Sequence, residues 1–370
     1  MTAEAMEGLP DGSAPLNLIE IEEMARALLP PAHYGYLAGG SGDEVTLRGN
    51  REAFHNWRIV PRVLRGVDAI DLTTSILGIN LKMPILLSPV AFQRLAHEEG
   101  EVASARAARD AGTIFTLSTL ATRSIEDVGA ATDRWWFQLY CYRDREVTLD
   151  LLSRAEAAGA MAIVITVDTP LLGRREADER NSFALPTHME MANLTGGAAR
   201  RFSARPGESA FAAYVSNLWD PSLSWQDVDW VAARTNLPLL IKGILSPADA
   251  RLALEHGGKA IVVSNHGGRQ LDSAVASLDA LETIAAMVQG SCPLLLDGGV
   301  RRGTDIIKAL ALGASAVMIG RPYVWGLALG GQAGVQLVLR LLRAELKLDL
   351  LLCGAGRPAD VDRGLLIRQY

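Results

Sequence analysis

An α/β (β/α)8 barrel, the TIM-barrel architecture, is the fold this sequence predicts, and three observations predict it. From Met83 onward one unit recurs: a short apolar strand, a polar or glycine-bearing loop, then an amphipathic helix. Eight such strands can be counted, which suits a closed parallel barrel better than an open sheet. No Gly-x-Gly-x-x-Gly turn follows an early strand, which counts against the doubly wound alternative. Length and composition agree: 370 residues, 49% hydrophobic and 21% charged, are ordinary for one large α/β barrel domain.

In order along the chain, a polar leader precedes a helix over about Leu18–Leu29, ended by Pro30-Pro31. A second short helix carries Tyr34 and Tyr36 and stops at Gly39-Gly40. These belong to an N-terminal helical extension, about 1–82, and the barrel occupies about 83–353. The predicted strands are Ile85–Val90, Ile114–Ser118, Trp136–Tyr140, Ala162–Val167, Leu239–Lys242, Ala260–Ser264, Leu294–Asp297 and Ala316–Gly320. Helices are expected over Gly100–Asp110, Glu146–Ala158, Pro247–Glu255 and Thr304–Leu312. The spacing breaks once, between Asp168 and Leu239. This long excursion, between Thr169 and Pro238, is the expected active-site lid, bordered by Trp219 or Trp225; its middle, about His188–Tyr214, is rich in Ala, Gly, Arg and Ser without periodicity.

Composition excludes several roles. A net charge of −6 and the lack of any long basic cluster argue against nucleic-acid binding. No apolar run reaches membrane-spanning length; the longest, Val317–Leu329, is broken by Arg321 and Pro322. The acidic Met1–Glu7 has no apolar core and is not read as a signal peptide, and the final Arg368-Gln369-Tyr370 is no peroxisomal signal. Cys141, Cys292 and Cys353 are far apart without metal-ligand spacing, so they are expected to be reduced in a cytoplasmic protein with no metal.

The most informative stretch is Ser264-Asn265-His266-Gly267-Gly268-Arg269-Gln270, directly after the strand Ala260–Val263. A titratable base three residues before a permanent cation suits an acid substrate that must lose a proton. Catalytic groups of such barrels sit at the C-terminal ends of the strands, and polar residues fall there repeatedly: Ser88, Ser118, Gln138 with Tyr140, Thr166 with Asp168, Lys242, His266, Asp297 and Arg321. The last two ends, Asp297-Gly298-Gly299-Val300-Arg301 and Gly320-Arg321, combine exposed backbone N–H groups with guanidinium groups, as a phosphate site requires. A single phosphate corner favours a mononucleotide over a dinucleotide.

These motifs resemble the flavin mononucleotide (FMN)-dependent (S)-2-hydroxy acid oxidases and dehydrogenases, the family of glycolate and lactate oxidases. The resemblance spans about Leu18–Cys353 and includes Tyr36-Leu37-Ala38-Gly39-Gly40, Ser88-Pro89-Val90-Ala91, Gln138-Leu139-Tyr140, Thr166-Val167-Asp168-Thr169-Pro170, Gly173-Arg174-Arg175-Glu176, the His266 stretch through Asp272, and Asp297–Arg301. It implies that His266 is the proton acceptor and Asp168 the carboxylate that orients it. Arg175 and Arg269 would grip the substrate carboxylate, Tyr36 would donate to it, and Tyr140 would reach the hydroxyl. Lys242 would stand beside the N1–C2 carbonyl edge of the flavin. Pro89, Val90, Ala91, Ser118, Gln138, Tyr140, Thr166 and Ser264 would surround its ring and ribityl chain. Asp297, Gly298, Gly299, Arg301, Gly320 and Arg321 would hold the ribityl and phosphate groups. His33, His55, His97, His188 and His256 have no such setting and are expected in structural or surface roles.

The resemblance further implies oxidation of a small (S)-2-hydroxy acid to the 2-oxo acid with O2 reduced to H2O2, and a homotetramer or higher homo-oligomer. The alternative keeps the half-reaction but passes electrons to a quinone or carrier protein; a barrel that binds FMN without catalysis is the third reading, disfavoured by the joint presence of His266, Asp168 and Arg269. Two positions depart from plant glycolate oxidase, which has tryptophan at Leu120 and threonine at Val90. The less polar, smaller-walled pocket favours a lactate-like or bulkier acid over glycolate. Ala91, which family oxidases usually carry where several membrane-linked dehydrogenases have glycine, leans toward oxygen as acceptor.

Overall fold

A computed structural model of the chain describes residues 14–194 and 218–369. Eight parallel strands close into a barrel: β1 (Ile85–Leu87), β2 (Phe115–Ser118), β3 (Trp135–Leu139), β4 (Ile163–Thr166), β5 (Leu239–Ile244), β6 (Ala260–Val263), β7 (Leu294–Asp297) and β8 (Ala316–Ile319). Each pairs with its neighbours in sequence, and Val317 opposite Ile85 closes the ring. The strands are buried on both faces, so they read as apolar runs rather than alternating ones. Leu86, Trp136, Val164, Leu240, Val262, Leu295 and Met318 fill the interior, while their sequence neighbours pack outward against the helices. A hairpin of Thr74–Ile76 with Ile79–Leu81 adds Ile76 and Leu81 to the interior cluster at the N-terminal mouth. The opposite mouth is left for the loops.

All eight expected strands are present, with two instructive differences at their ends. β1 stops at Leu87, not Val90, because Pro89 has no N–H to give the ladder. β5 runs past Lys242 to Ile244, with a register shift at Gly243. The four expected helices occur as Glu101–Ala111, Arg145–Ala157, Pro247–Glu255 and Gly303–Ala311.

The N-terminal extension begins with a helix over Leu18–Leu28, whose N-cap Asn17 accepts from Ile19 and Glu20 N–H. Pro31 is not a terminator beyond it but the first residue of the next helix, Pro31–Ala38, where its missing N–H costs nothing. The sequence reading passed over a third helix, Val45–His55. Its buried face includes Thr46 and Asn50 beside Ala53 and Phe54, so it shows no continuous apolar stripe. The chain ends its barrel in a helix over Arg321–Cys353, kinked at Gly330 and Gly331. Among the described residues no helix is long and apolar enough to cross a membrane.

Between β4 and β5 the described residues of the excursion form the short helices Glu176–Arg180 and Trp225–Ala232. Its portion up to Leu194 is packed down: Met191 is fully buried and Asn193 accepts from the backbone N–H of Ile125 at 2.8 Å. The part of the predicted lid from 195 to 217 lies outside the described residues.

Candidate active site

The loop leaving β6 turns sharply. His266 has a φ of 58° and is followed by two glycines also in the left-handed region, Gly267 and Gly268. Only a few residue types tolerate this, and histidine is one of them. The Ser264 hydroxyl accepts from the His266 N–H at 3.0 Å and fixes the turn. The imidazole Nδ1 lies 2.8 Å from Asp168 Oδ1 at the end of β4, and Thr169 donates to the same oxygen at 2.9 Å.

Burial raises the Asp168 carboxyl, but the nearby His266, Lys242 and Thr169 outweigh it and hold it below the ordinary carboxylate range. The ionised carboxylate can only accept, so Nδ1 carries the proton and Nε2 keeps its lone pair. Burial also pushes His266 below the usual histidine value, against the pull of Asp168 and with help from Lys242. The result is a neutral imidazole at neutral pH, in the tautomer a general base needs.

Asp168 reaches this position because Gly243 makes room. A Cβ at Gly243 would stand 2.6 Å from Asp168 Cβ, and its φ of +110° is itself hostile to a side chain. Gly243→Ala is therefore expected to cost about 1–3 kcal/mol of stability and to move Asp168 off His266. A melting temperature and turnover rate both matching wild type would contradict this.

The cleft at the C-terminal mouth is rich in cations. Among the described residues, Arg175, Lys242, Arg269, Arg301 and Arg321 line it, against one lining carboxylate, Asp297. Lys242 is buried and donates to Ser264 at 2.9 Å, with Asp297 Oδ2 at 3.0 Å. Burial alone would lower its ammonium, but Asp297 and Asp168 raise it above the ordinary lysine value, so it stays charged. Burial and the adjacent Arg269 lower Arg175 to about 10. Burial, then Arg269 and Arg301, lowers Arg321 to about 9. Each remains protonated at neutral pH, in a repulsive cluster that an anion would relieve.

Much of the donor capacity here is held by backbone. Arg269 donates to the carbonyls of Tyr36 (2.7 Å) and Gly39 (2.8 Å), and Arg321 to those of Ala38, Gly39 and Gly267. Both guanidinium groups thus sit at the C-terminal end of the helix Pro31–Ala38, where its dipole favours positive charge. Asp178 and Glu22 stand near Arg175 and Arg301 at 3.9 and 3.7 Å, outside hydrogen-bond range.

Pro89, Val90, Ala91, Ser118, Leu120, Gln138, Tyr140, Thr166, Gly298, Gly299 and Gly320 also line this cleft, as do Tyr36 and His266. Two predicted residues stand one step behind it: Asp168 behind His266, and Ser264 beneath Lys242 and His266. Tyr36 is buried and stacks on Phe183 at 4.2 Å with Arg269 over its face at 5.0 Å. His33 and His256 lie elsewhere, bonded to Leu95 O and Asp229.

Three contributors escaped the sequence reading. Asn50, on the unpredicted third helix, exchanges two 2.8 Å hydrogen bonds with Asn265 and so braces the His266 turn. The backbone of that helix also lies so close to Gly299 that no larger residue fits. Trp219 lines the cleft with its ring stacked on Tyr140, where the sequence placed it only at a lid border. The third is Gly243 beside Asp168, and it alone of the three carried a readable signal, as a glycine inside an apolar strand.

The family model described as FMN-dependent dehydrogenase matches residues 25–368. The L-lactate oxidase of Nostoc sp. is 50% identical over 359 residues, 96% of this chain and 98% of that one. The glycolate oxidase of Spinacia oleracea is 48% identical, with 94% of each chain covered. A crystal structure of mandelate oxidase with (S)-4-hydroxymandelic acid superposes with a TM-score of 0.91 at 46% identity, covering 96% of this chain and 99% of that one.

Proposed function

This chain belongs to the FMN-dependent dehydrogenase family, and from that premise we infer that it is an FMN-dependent oxidase of (S)-2-hydroxy acids that passes the electrons to O2. One observation carries the reading: a neutral His266 backed by Asp168 at 2.8 Å opens onto a cleft lined by five cations and one carboxylate. A 2-hydroxy acid brings the carboxylate such a cleft lacks and the proton such a base takes.

The residues fit the family's cofactor. Gln138 Nε2, Thr166 Oγ1, Ser88 Oγ and Asp297 Oδ1 are buried at the cleft wall and have no hydrogen-bond partner among the described residues. Buried polar atoms are costly unless paired, and a flavin ring and ribityl chain offer matching donors and acceptors. Gly298 and Gly299, both with positive φ, and Gly320 before the helix Arg321–Cys353 offer backbone N–H groups, and Arg301 and Arg321 the charge, that a phosphate takes.

Bound FMN supplies the two-electron acceptor for conversion of the alcohol to the ketone. The chain's own groups do the rest. Arg175 and Arg269 hold the substrate carboxylate, Tyr36 donates to it, and Tyr140 takes the hydroxyl. His266 Nε2 accepts the substrate proton, and Asp168 stabilises the imidazolium that results. Lys242 keeps a fixed positive charge where the ring gains electron density. An aerobic assay should give one peroxide per 2-oxo acid; turnover with a dye or quinone but without peroxide would exclude the oxidase.

The wall facing the α-carbon is apolar: Leu120 is 2% exposed, and Val90 and Leu172 join it in the lining. The preferred substrate is therefore (S)-lactate or a bulkier acid, ahead of glycolate. An added methylene in such a pocket is worth about 10–200-fold. Leu120→Trp should move the kcat/KM ratio toward glycolate by at least about tenfold. Wild type that already prefers glycolate, or a variant with the same ratio, would contradict the assignment.

A further inference from the structure

Trp219 stands between the active-site cleft and a space behind it that no described residue fills. The indole is 2% exposed and stacks on the Tyr140 ring, centroids 3.9 Å apart and planes 25° apart. Its backbone is pinned by a bridge to Tyr142, and the next residue, Asp220, pairs with Arg145 at 2.8 Å. The indole N–H has no partner among the described residues, so bulk rather than polarity is what this side chain contributes to the wall.

A cavity of about 240 Å³ shares Tyr140, Thr166 and Trp219 with the cleft. On its far side it shares Cys141, Val167 and Leu223 with a second cavity of about 370 Å³, which reaches Ile165, Val228 and Ile244 beside the barrel. The three spaces form a series, and Trp219 faces the first two. The linings are mixed: Thr166, Thr169 and Asp220 stand beside Pro170, Pro221 and Leu223 in the first, and Asp227 and Asp249 beside Ile165, Val228 and Ile244 in the second, so what the space offers a substrate chain is room.

We propose that Trp219 is a specificity-determining wall: it sets the length of the substituent on the substrate α-carbon, and its removal admits 2-hydroxy acids with long unbranched alkyl chains into the space behind. The inference rests on the 2-hydroxy acid reading of the site. In the wild type the indole stops a chain extending past Tyr140. With the indole gone, each added methylene enters the space between Pro170, Pro221 and Leu223 instead of meeting a ring.

The test compares kcat/KM for (S)-2-hydroxyoctanoate and (S)-lactate in wild type, Trp219→Ala and Trp219→Phe, each checked for FMN content. The octanoate-to-lactate ratio should rise about tenfold or more in Trp219→Ala. Trp219→Phe, which keeps most of the bulk and loses the N–H, should hold the wild-type ratio. An unchanged ratio in flavin-loaded Trp219→Ala, or an equal shift in Trp219→Phe, overturns the wall. Should the alanine variant fail to retain FMN, Trp219→Val carries the same comparison with a smaller void. Wild type that oxidises lactate while the variants keep its ratio refutes the wall alone; wild type that oxidises neither acid refutes the underlying reading of the site.

Discussion

Replacing His266 with alanine is expected to slow reduction of the bound flavin by a 2-hydroxy acid at least about 10²–10⁴-fold while FMN remains bound. The size of the effect follows from the setting. The imidazole is the base proposed for the cleft, oriented by Asp168 at 2.8 Å and kept unprotonated by burial. The carbonyl and hydroxyl groups around it are far weaker bases. FMN retention follows because the groups proposed to hold its phosphate, Arg301 and Arg321, do not use the His266 side chain as a partner. Rapid mixing without oxygen reads the step directly, through loss of flavin absorbance. A variant reduced at nearly the wild-type rate would remove His266 from the base role.

Asp168→Asn should be nearly as damaging, because it keeps shape but loses the charge that stabilises the imidazolium. An amide can also present its N–H to Nδ1 and trap the wrong tautomer; loss of a carboxylate partner of histidine costs up to about 10⁴-fold. The variant carries a second signature in pH. The active form of His266 is neutral, so kcat/KM falls as pH drops through its pKa. Burial holds that pKa below the ordinary histidine value, and Asp168 is the main influence raising it. Removing the carboxylate lowers it further, so the acidic limb should move to lower pH. A limb that moves upward, or full activity in the asparagine variant, would contradict the pairing.

Much of this was legible because a parallel barrel exposes its logic in sequence. Strands buried on both faces appear as apolar runs such as Ala260–Val263, and the residues just beyond them are, by topology, gathered at one mouth. His266, Lys242, Asp297 and Arg321 come from four different strand ends, yet they share one cleft for that reason. What stayed hidden depends on contacts that no local pattern encodes. Asn50 braces Asn265 across 215 positions, from a helix whose buried face is partly polar. Pro31 looked like a stop because proline ends helices, yet it begins one. Trp219 read only as a candidate border of the lid, since its place in the wall comes from the cavities on its two sides and not from its neighbours in the chain.

Electrostatics explains why the cleft demands its ligands. Five buried or half-buried cations in a protein of net charge −6 are not a surface accident. Burial first, and then their mutual repulsion, lowers Arg175 and Arg321, while backbone carbonyls at the end of the helix Pro31–Ala38 hold Arg269 and Arg321. In the proposed function, a dianionic phosphate at one end of the cleft and a carboxylate at the other would complete the charge balance. This also accounts for relatives that act on lactate, glycolate and mandelate while sharing close to half of their sequence with this chain. The anion-holding groups can be common to all, while the wall around the α-carbon differs.

The most direct test of the account is anaerobic mixing of the purified yellow protein with (S)-lactate, (S)-mandelate and glycolate, followed by admission of oxygen. Flavin absorbance should bleach with the (S)-acids, faster with lactate or mandelate than with glycolate, and return on aeration with one equivalent of peroxide and one of 2-oxo acid. Protein that takes up no FMN, or FMN-loaded protein whose absorbance none of the three acids bleaches, would contradict it.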